Sequence, residues 1–284
     1  MILIADSGST KTSWFYSRET NHSEKISTSG INPFFRTTEN IVDELQKELV
    51  PKIDSTIFEI HFYGAGIINE EKGAVVKSAL QQLFPLAKIK VQSDLLAAAR
   101  ASFWNKKGIA CILGTGTNSC LYDGENIIEH VPSLGFILGD EGSGATLGRK
   151  LVADYLKGIT PKHIAKKFQQ QFPLDYAGFL ESVYKKEKPN KFLAQFVPFL
   201  KENINDRYCS QLIENSFVEF FERNVKHYTN FNELEISFVG GVAHFFQEQL
   251  KSVLTKNNLK LGTILLEPLD SLTQFHLKSV GTKI

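Results

Sequence analysis

A strand that ends in a glycine-rich turn occurs twice in this chain, and few folds can accommodate such a duplication. Ile2-Leu3-Ile4-Ala5-Asp6-Ser7-Gly8-Ser9-Thr10-Lys11-Thr12 is matched by Cys111-Ile112-Leu113-Gly114-Thr115-Gly116-Thr117-Asn118-Ser119-Cys120. At an offset of 108, Ser7 lies over Thr115, Gly8 over Gly116 and Ser9 over Thr117. An apolar run precedes each turn, as a buried strand requires. Tight Gly/Ser/Thr turns present backbone N–H groups and hydroxyls, which are the donors a polyphosphate needs. The duplication therefore predicts two related α/β halves gripping one nucleotide.

The rest of the chain alternates accordingly. Ser13–Tyr16 reads as a return strand, Thr38–Val50 as a helix ended by Pro51, and Phe58–Tyr63 as a strand stopping at Gly64-Ala65-Gly66. A helix over Lys72–Leu83, a strand over Ile89–Val91 and a helix from Asp94 to Phe103 complete the first half. The polar break Asn105-Lys106-Lys107-Gly108 separates two expected domains, 1–104 joined by a closing helix within 268–284, and 105–267. In the second, a turn at Tyr122–Asn126 and a helix beginning at Gly142 lead into a mostly helical stretch over 160–230. The strand Ile236–Val239 meets Gly240-Gly241. Then come a helix over His244–Leu254, a last strand Ile264–Leu266 and a helix from Leu269.

Composition excludes several function classes. Thirty-two basic and 31 acidic residues give a net charge of +1, which argues against nucleic-acid binding driven by overall charge. Three cysteines, Cys111, Cys120 and Cys209, without a CxxC pair argue against a disulfide framework or a zinc site. The seven histidines have no ligand spacing and read as surface or structural residues. The N-terminus reads as a strand rather than a leader, and no apolar run reaches membrane-spanning length, so the expected location is the cytoplasm.

Neither a Gly-x-x-x-x-Gly-Lys loop nor a Gly-x-Gly-x-x-Gly fingerprint is present. Asp6 at the first turn would repel phosphate unless a cation intervened, and Mg²⁺ binds through few carboxylates and several waters. Lys11 offers a charge beside the outer phosphates, although a solvated lysine fits equally well. Asp94, between a strand and an alanine-rich helix, reads as an N-cap or as a general base.

Asp-Ser-Gly-Ser-Thr-Lys-Thr, Leu-Gly-Thr-Gly-Thr-Asn-Ser, Leu-Gly-Asp-Glu-Gly-Ser-Gly and Val-Gly-Gly-Val-Ala, in this order, resemble the motifs of the ASKHA superfamily of acetate and sugar kinases, Hsp70 and actin. Within it the chain is similar to the N-acetylglucosamine kinase-like branch, grouped with the BadF/BadG-type ATPases, over essentially its whole length. The resemblance implies an α/β fold of two ribonuclease-H-like domains flanking a nucleotide cleft, with ATP and Mg²⁺ bound. It implies a phosphate-1 turn formed by Ser7, Gly8, Ser9, Thr10 and Lys11, and Asp6 holding Mg²⁺ through water. Gly114, Thr115, Gly116 and Thr117 match the phosphate-2 turn, and Gly240 and Gly241 the adenosine motif. Asp94 matches the base that activates the sugar hydroxyl. Asn32, Asn118 and Asp140 match sugar contacts, and Glu141 supports its loop. Phe245 and Phe246 lie near the adenosine motif but read as core.

The activity so implied is transfer of the γ-phosphoryl group of ATP to the 6-hydroxyl of N-acetylglucosamine, N-acetylmuramic acid or glucosamine, by a homodimer. A BadF-type activating ATPase would need cysteines arranged to hold an iron–sulfur cluster, and the three here are not. A non-catalytic sugar sensor ranks last, because no DNA-binding segment precedes residue 2. The zinc loop of the related sugar-kinase branch has no counterpart.

Overall fold

The computed structural model describes residues 1–8, 10–17 and 23–281, so Ser9 of the first turn and His22 lie outside the described residues. The chain divides into two compact units, 1–105 with 268–284, and 106–267.

The first unit is built on β1 (Ile2–Ser7), β2 (Lys11–Ser17), β3 (Ser23–Ser29), β4 (Glu59–Gly64) and β5 (Lys88–Ser93), in the order β3-β2-β1-β4-β5. The first three strands pair antiparallel, and β1, β4 and β5 pair parallel. Three helices occur between or after these strands: α1 (Thr38–Glu48), α2 (Glu70–Leu83) and α3 (Asp94–Phe103). Their starts are local, because Thr37, Asn69 and Ser93 each accept a hydrogen bond from an N–H of the first turn. On one sheet face, Leu3, Trp14, Ile60 and Phe62 form a core with Ile41 and Leu45 of α1 and Val76 and Leu80 of α2.

The second unit repeats the plan. β6 (Gly108–Leu113), β7 (Thr117–Tyr122), β8 (Ile127–Val131), β9 (Glu235–Val239) and β10 (Lys260–Leu265) are ordered β10-β9-β6-β7-β8, with the same split into antiparallel and parallel pairs. Between β8 and β9 run α4 (Gly135–Leu138), α5 (Gly144–Leu156), α6 (Lys162–Gln171), α7 (Tyr176–Tyr184), α8 (Pro189–Ala194), α9 (Val197–Glu202) and α10 (Arg207–Arg223). Phe168 anchors their core against Phe179, Phe196 and Phe199, with ring centroids 5.1–6.0 Å apart. Then come α11 (Gly241–Phe245) and α12 (Gln247–Lys256). The closing helix α13 (Leu269–Gly281) belongs to the first unit, where it packs on α3, β1 and β2.

One strand was not expected, and three local expectations are corrected. β3, a mostly polar edge strand in which Ile26 and Thr28 are buried, has no counterpart in the sequence reading because apolar residues do not alternate along it. β10 starts at Lys260, hidden by a register shift between Leu261 and Ile264, where a Cβ on Gly262 would lie 2.3 Å from the Ser237 hydroxyl. The helix expected over His244–Leu254 is two, because Phe246 leaves helical geometry and drives its ring into the core. The offset of 108 is also not the structural one. The last paired residues are Ser7 with Thr12 and Leu113 with Thr117, so the first turn has one residue more and Gly8 occupies the place of Gly114.

Of the histidines read as surface or structural, His61 and His276 are structural and buried. Their rings stack with centroids 3.8 Å apart, between β4 and α13. Arg100 Nη1 donates to the Tyr63 hydroxyl at 2.8 Å, and that hydroxyl lies 2.9 Å from His276 Nε2. With the guanidinium as donor, the tyrosine proton is directed at His276, which stays a neutral acceptor. Burial, then the neighbouring His61, Arg100 and Lys90, push the His276 pKa down to about 3. Burial also lowers that of His61, against the pull of Glu59. An unfolded histidine titrates near about 6.5, so below that pH the unfolded chain binds the extra proton. Stability is therefore complete above about pH 6.5 and declines as the pH falls toward about 3. Denaturant midpoints measured across that range should fall more gently in His276→Asn than in the parent, and parallel slopes would refute the assignment.

Candidate functional site

In the first unit, the end of β1 forms the centre of a polar cluster. Gly8 N–H donates to the Lys11 carbonyl at 2.9 Å and closes the turn. Gly8, Thr10 and Lys11 are exposed, whereas Ser7 is fully buried. The Ser7 hydroxyl accepts from Ile31 N–H at 3.0 Å and lies 2.7 Å from the Thr12 hydroxyl. That hydroxyl therefore ties the turn to the 30–34 loop and does not face outward. Asp6 sits one residue inside β1, half-buried, paired with Ser13 on one side and Tyr63 on the other.

Asn32 is drawn into the same cluster. Its Oδ1 accepts from Phe34 N–H at 3.0 Å, and a Cβ on Gly66 would lie 2.4 Å from that oxygen, where Gly66 has φ +82°. The Gly64–Gly66 turn is tied to β1 because Ala65 N–H donates to the Ser7 carbonyl at 2.8 Å. Glycine at 66 thus serves both the backbone angle and the approach of Asn32.

Asp94 follows β5 directly, yet the helix cap is Ser93, whose hydroxyl accepts from Leu96 N–H at 3.3 Å. The cap position is thus held by Ser93, and Asp94 is the first residue of the helix. Burial pushes its pKa up to about 6, opposed by the N–H groups of Leu95 and of Asp94 itself.

In the second unit, the 114–117 turn is held by three groups. Its Gly114 and Thr115 carbonyls accept from Gly144 N–H at 2.8 Å and Ala145 N–H at 3.1 Å, the first turn of α5. Ser143 caps that helix by accepting from Thr146 N–H. Gly240, with φ +121°, lies beneath the turn, and a Cβ there would sit 2.5 Å from the Leu113 carbonyl oxygen. Asp140 closes the third side: its Oδ1 accepts from Thr117 N–H at 3.2 Å, and a Cβ on Gly116 would lie 2.9 Å from its other oxygen.

Gly114 N–H is taken by the Gly116 carbonyl at 3.0 Å. Thr115 is exposed, and among the described residues the N–H groups of Thr115 and Gly116 have no protein acceptor. The turn therefore keeps two backbone donors for a ligand, while the α5 N-terminus spends its own on the turn.

Asp140 is held from below as well. It adopts φ +55°, its carbonyl accepts from the Thr146 hydroxyl at 2.8 Å, and Gly142 N–H donates to the Ser216 hydroxyl at 3.2 Å. Glu141 pairs with Arg223 at 2.6 Å and accepts from the Asn224 amide at 3.3 Å, so it supports the loop. Burial, then the charge of Glu141, push the Asp140 pKa up to about 6 against the Thr117 hydrogen bond. Asn118 Oδ1 accepts from Ser119 N–H at 3.0 Å and lies 2.8 Å from His130 Nε2, which leaves its amide NH₂ as the group on offer. Thr146, Ser216, Arg223, Asn224 and His130 were not foreseen, because each acts on a residue that only folding brings near. Phe246 is core, whereas Phe245 is 47% exposed beside Gly241.

Among the described residues no group of three or more His, Cys, Asp or Glu side chains is placed to hold a metal ion, and the three cysteines are buried and free. No described helix is long and apolar enough to cross a membrane.

The glycine geometry makes a direct prediction. Gly240→Ala should lose about 1–3 kcal/mol of stability, since it combines a left-handed angle with contact against backbone. Gly114→Ala, with no atom nearer than 4.0 Å to the new methyl, should lose less than about 1 kcal/mol. Chemical denaturation of the pair checks the contrast.

No protein-family model matches the chain, and no curated protein does. Among solved structures, the "Putative N-acetylglucosamine Kinase" from Porphyromonas gingivalis is 44% identical, covers 97% of this chain and 98% of its own, and superposes with a TM-score of 0.93. The protein of the same description from Chromobacterium violaceum superposes at 0.73 with 14% identity, covering 96% of this chain and 98% of its own. A ROK family glucokinase from Streptomyces griseus, in complex with glucose and AMPPNP, superposes at 0.54 with 14% identity, covering 94% of this chain and 93% of its own. These last two share the fold alone. The near-complete match at 44% identity and the duplicated five-stranded plan establish that the chain belongs to the N-acetylglucosamine kinase-like branch of the ASKHA superfamily.

Proposed function

We propose that the chain is an ATP-dependent amino-sugar kinase that phosphorylates the 6-hydroxyl of N-acetylglucosamine or a close relative. The observation that carries this reading is the 114–117 turn, braced by α5 and Asp140, whose Thr115 and Gly116 N–H groups have no protein acceptor among the described residues. The name of the 44% identical relative supports the acceptor class, and the glucokinase of like fold binds a sugar with an ATP analogue.

In this reading Gly8, Ser9, Thr10 and Lys11, with the Ser7 backbone, hold one part of the polyphosphate, and Gly114 to Thr117 hold another. Gly240 and Gly241 lie along the adenosine, and the exposed Phe245 ring offers the base an aromatic face. One half-buried carboxylate at Asp6 suits a cation that keeps most of its waters. Mg²⁺ bound there with ATP supplies charge that offsets the phosphate oxygens.

Asp94 accepts the hydroxyl proton while the sugar oxygen bonds to the γ-phosphorus and the bond to the bridging oxygen of ADP breaks. A base with a pKa of about 6 is ionised at neutral pH and still basic enough to take that proton. Asp140, with one oxygen on Thr117 N–H, has lone pairs left for sugar hydroxyls, and Asn118 offers its NH₂ to an acceptor such as an acetamido carbonyl. Asn32 completes the sugar contacts. The resemblance also implies a cytoplasmic homodimer, and light scattering on the purified protein would check its mass.

Coupled ADP release tests the reading with N-acetylglucosamine, N-acetylmuramic acid, glucosamine, N-acetylmannosamine and glucose. Turnover should depend on an amino sugar, and Asp94→Asn should lower kcat by roughly 10²–10⁴-fold with nucleotide binding retained. Intact nucleotide binding without sugar-dependent turnover on any of the five would overturn it. In the parent, kcat/KM should fall as the pH drops below about 6, where Asp94 takes up a proton.

A further inference from the structure

A groove of the second unit lies between α5 and α10, and none of the 114–117 turn residues lines it. It encloses about 750 Å³, within the range of small-molecule sites. Arg149 on α5 and Arg207 on α10 line it, both exposed. Neither guanidinium has an ion pair or a hydrogen bond among the described residues. The other charges in the groove are committed. Lys150 pairs with Glu219, and Asp154 accepts from the Tyr208 hydroxyl at 2.8 Å. Asp206 lies 2.6 Å from His163 Nε2 and caps α10 by accepting from Tyr208 N–H at 2.9 Å. That engagement, led by the His163 hydrogen bond, lowers the Asp206 pKa.

What remains to a ligand is two unpaired guanidiniums, one from each helix, while the amides of Gln211 and Asn215 in the same lining are bonded to each other at 3.3 Å. An arginine fork matches the oxygens of a phosphate better than a point charge does. The apolar surfaces of Ala153, Pro161 and Leu212 fit a small body attached to it. We propose that this groove is a second ligand site, taking a phosphomonoester of sugar-phosphate size through Arg149 and Arg207. Its walls are the same helices that hold the Asp140 loop, through Thr146 of α5 and Ser216 and Arg223 of α10. An occupant bridging them bears on the supports of that loop. This last consequence rests on the kinase reading, whereas the binding itself does not.

Calorimetric titration of the full chain with glucose 6-phosphate, inorganic phosphate and glucose tests the site, with no turnover involved. A non-hydrolysable ATP analogue is kept in excess in all three. Glucose 6-phosphate should bind in the millimolar range or tighter, and more tightly than glucose. Arg149→Gln and Arg207→Gln should each weaken it about tenfold, the worth of one charge-assisted hydrogen bond. Arg149→Lys should recover only part of the loss. Both side chains are exposed, so the melting temperatures should stay at the parent value and show the variants folded. Affinity unchanged in the double variant would locate the phosphate elsewhere and overturn the proposal. So would a failure of glucose 6-phosphate to bind at millimolar concentration.

Discussion

The second unit depends on a backbone exchange. The first N–H groups of α5 donate to the carbonyls of Gly114 and Thr115, so a helix terminus that could itself have attracted an anion instead fixes a turn. Everything nearby is shaped by that choice. Gly240 must lack a side chain because the turn lies on it, and Gly116 must lack one because Asp140 does. Asp140 reaches that place only through a left-handed backbone angle held by Thr146 and Ser216. The donors left at Thr115 and Gly116 are fixed in direction at no cost when a ligand arrives, which is what preorganisation means in electrostatic terms.

The first unit solves the same problem differently. Its turn has one residue more, and among the described residues no helix N–H donates to it. A buried serine hydroxyl ties the turn to the Ile31 backbone, and the Gly64–Gly66 turn is tied to the Ser7 carbonyl. Two copies of one plan have therefore diverged in how they hold their turns while keeping strand order and pairing sense.

Much of this was legible in the sequence because it is local. Strand and helix types follow from periodicity, and Thr37, Asn69 and Ser143 are short polar residues that start the helices they cap. The glycines of the candidate site were visible as glycines, but not the atoms that require them. Ser7 looked like a phosphate ligand from its position, and only the fold shows its hydroxyl spent on Ile31. Asp94 read as a cap or as a general base, and only the fold shows Ser93 in the cap position. His61 and His276 read as surface or structural residues, and nothing in their neighbourhoods says which, or that residues so far apart will stack. What sequence spacing could not carry was every contact that spans α5 to α10 or β4 to α13.

The placement of α13 has a consequence for how the protein is made. The helix follows all of 106–267, yet it packs on β1, β2 and α3. On the ribosome the first unit therefore emerges early but waits, its Tyr63 and Arg100 without His276, until the second unit has been synthesised. The unit that starts the chain is the last to be finished. Until then the face of β4 that bears His61 and Tyr63 has α3 over it but not α13, so its cover is incomplete, a task for whatever shields nascent chains.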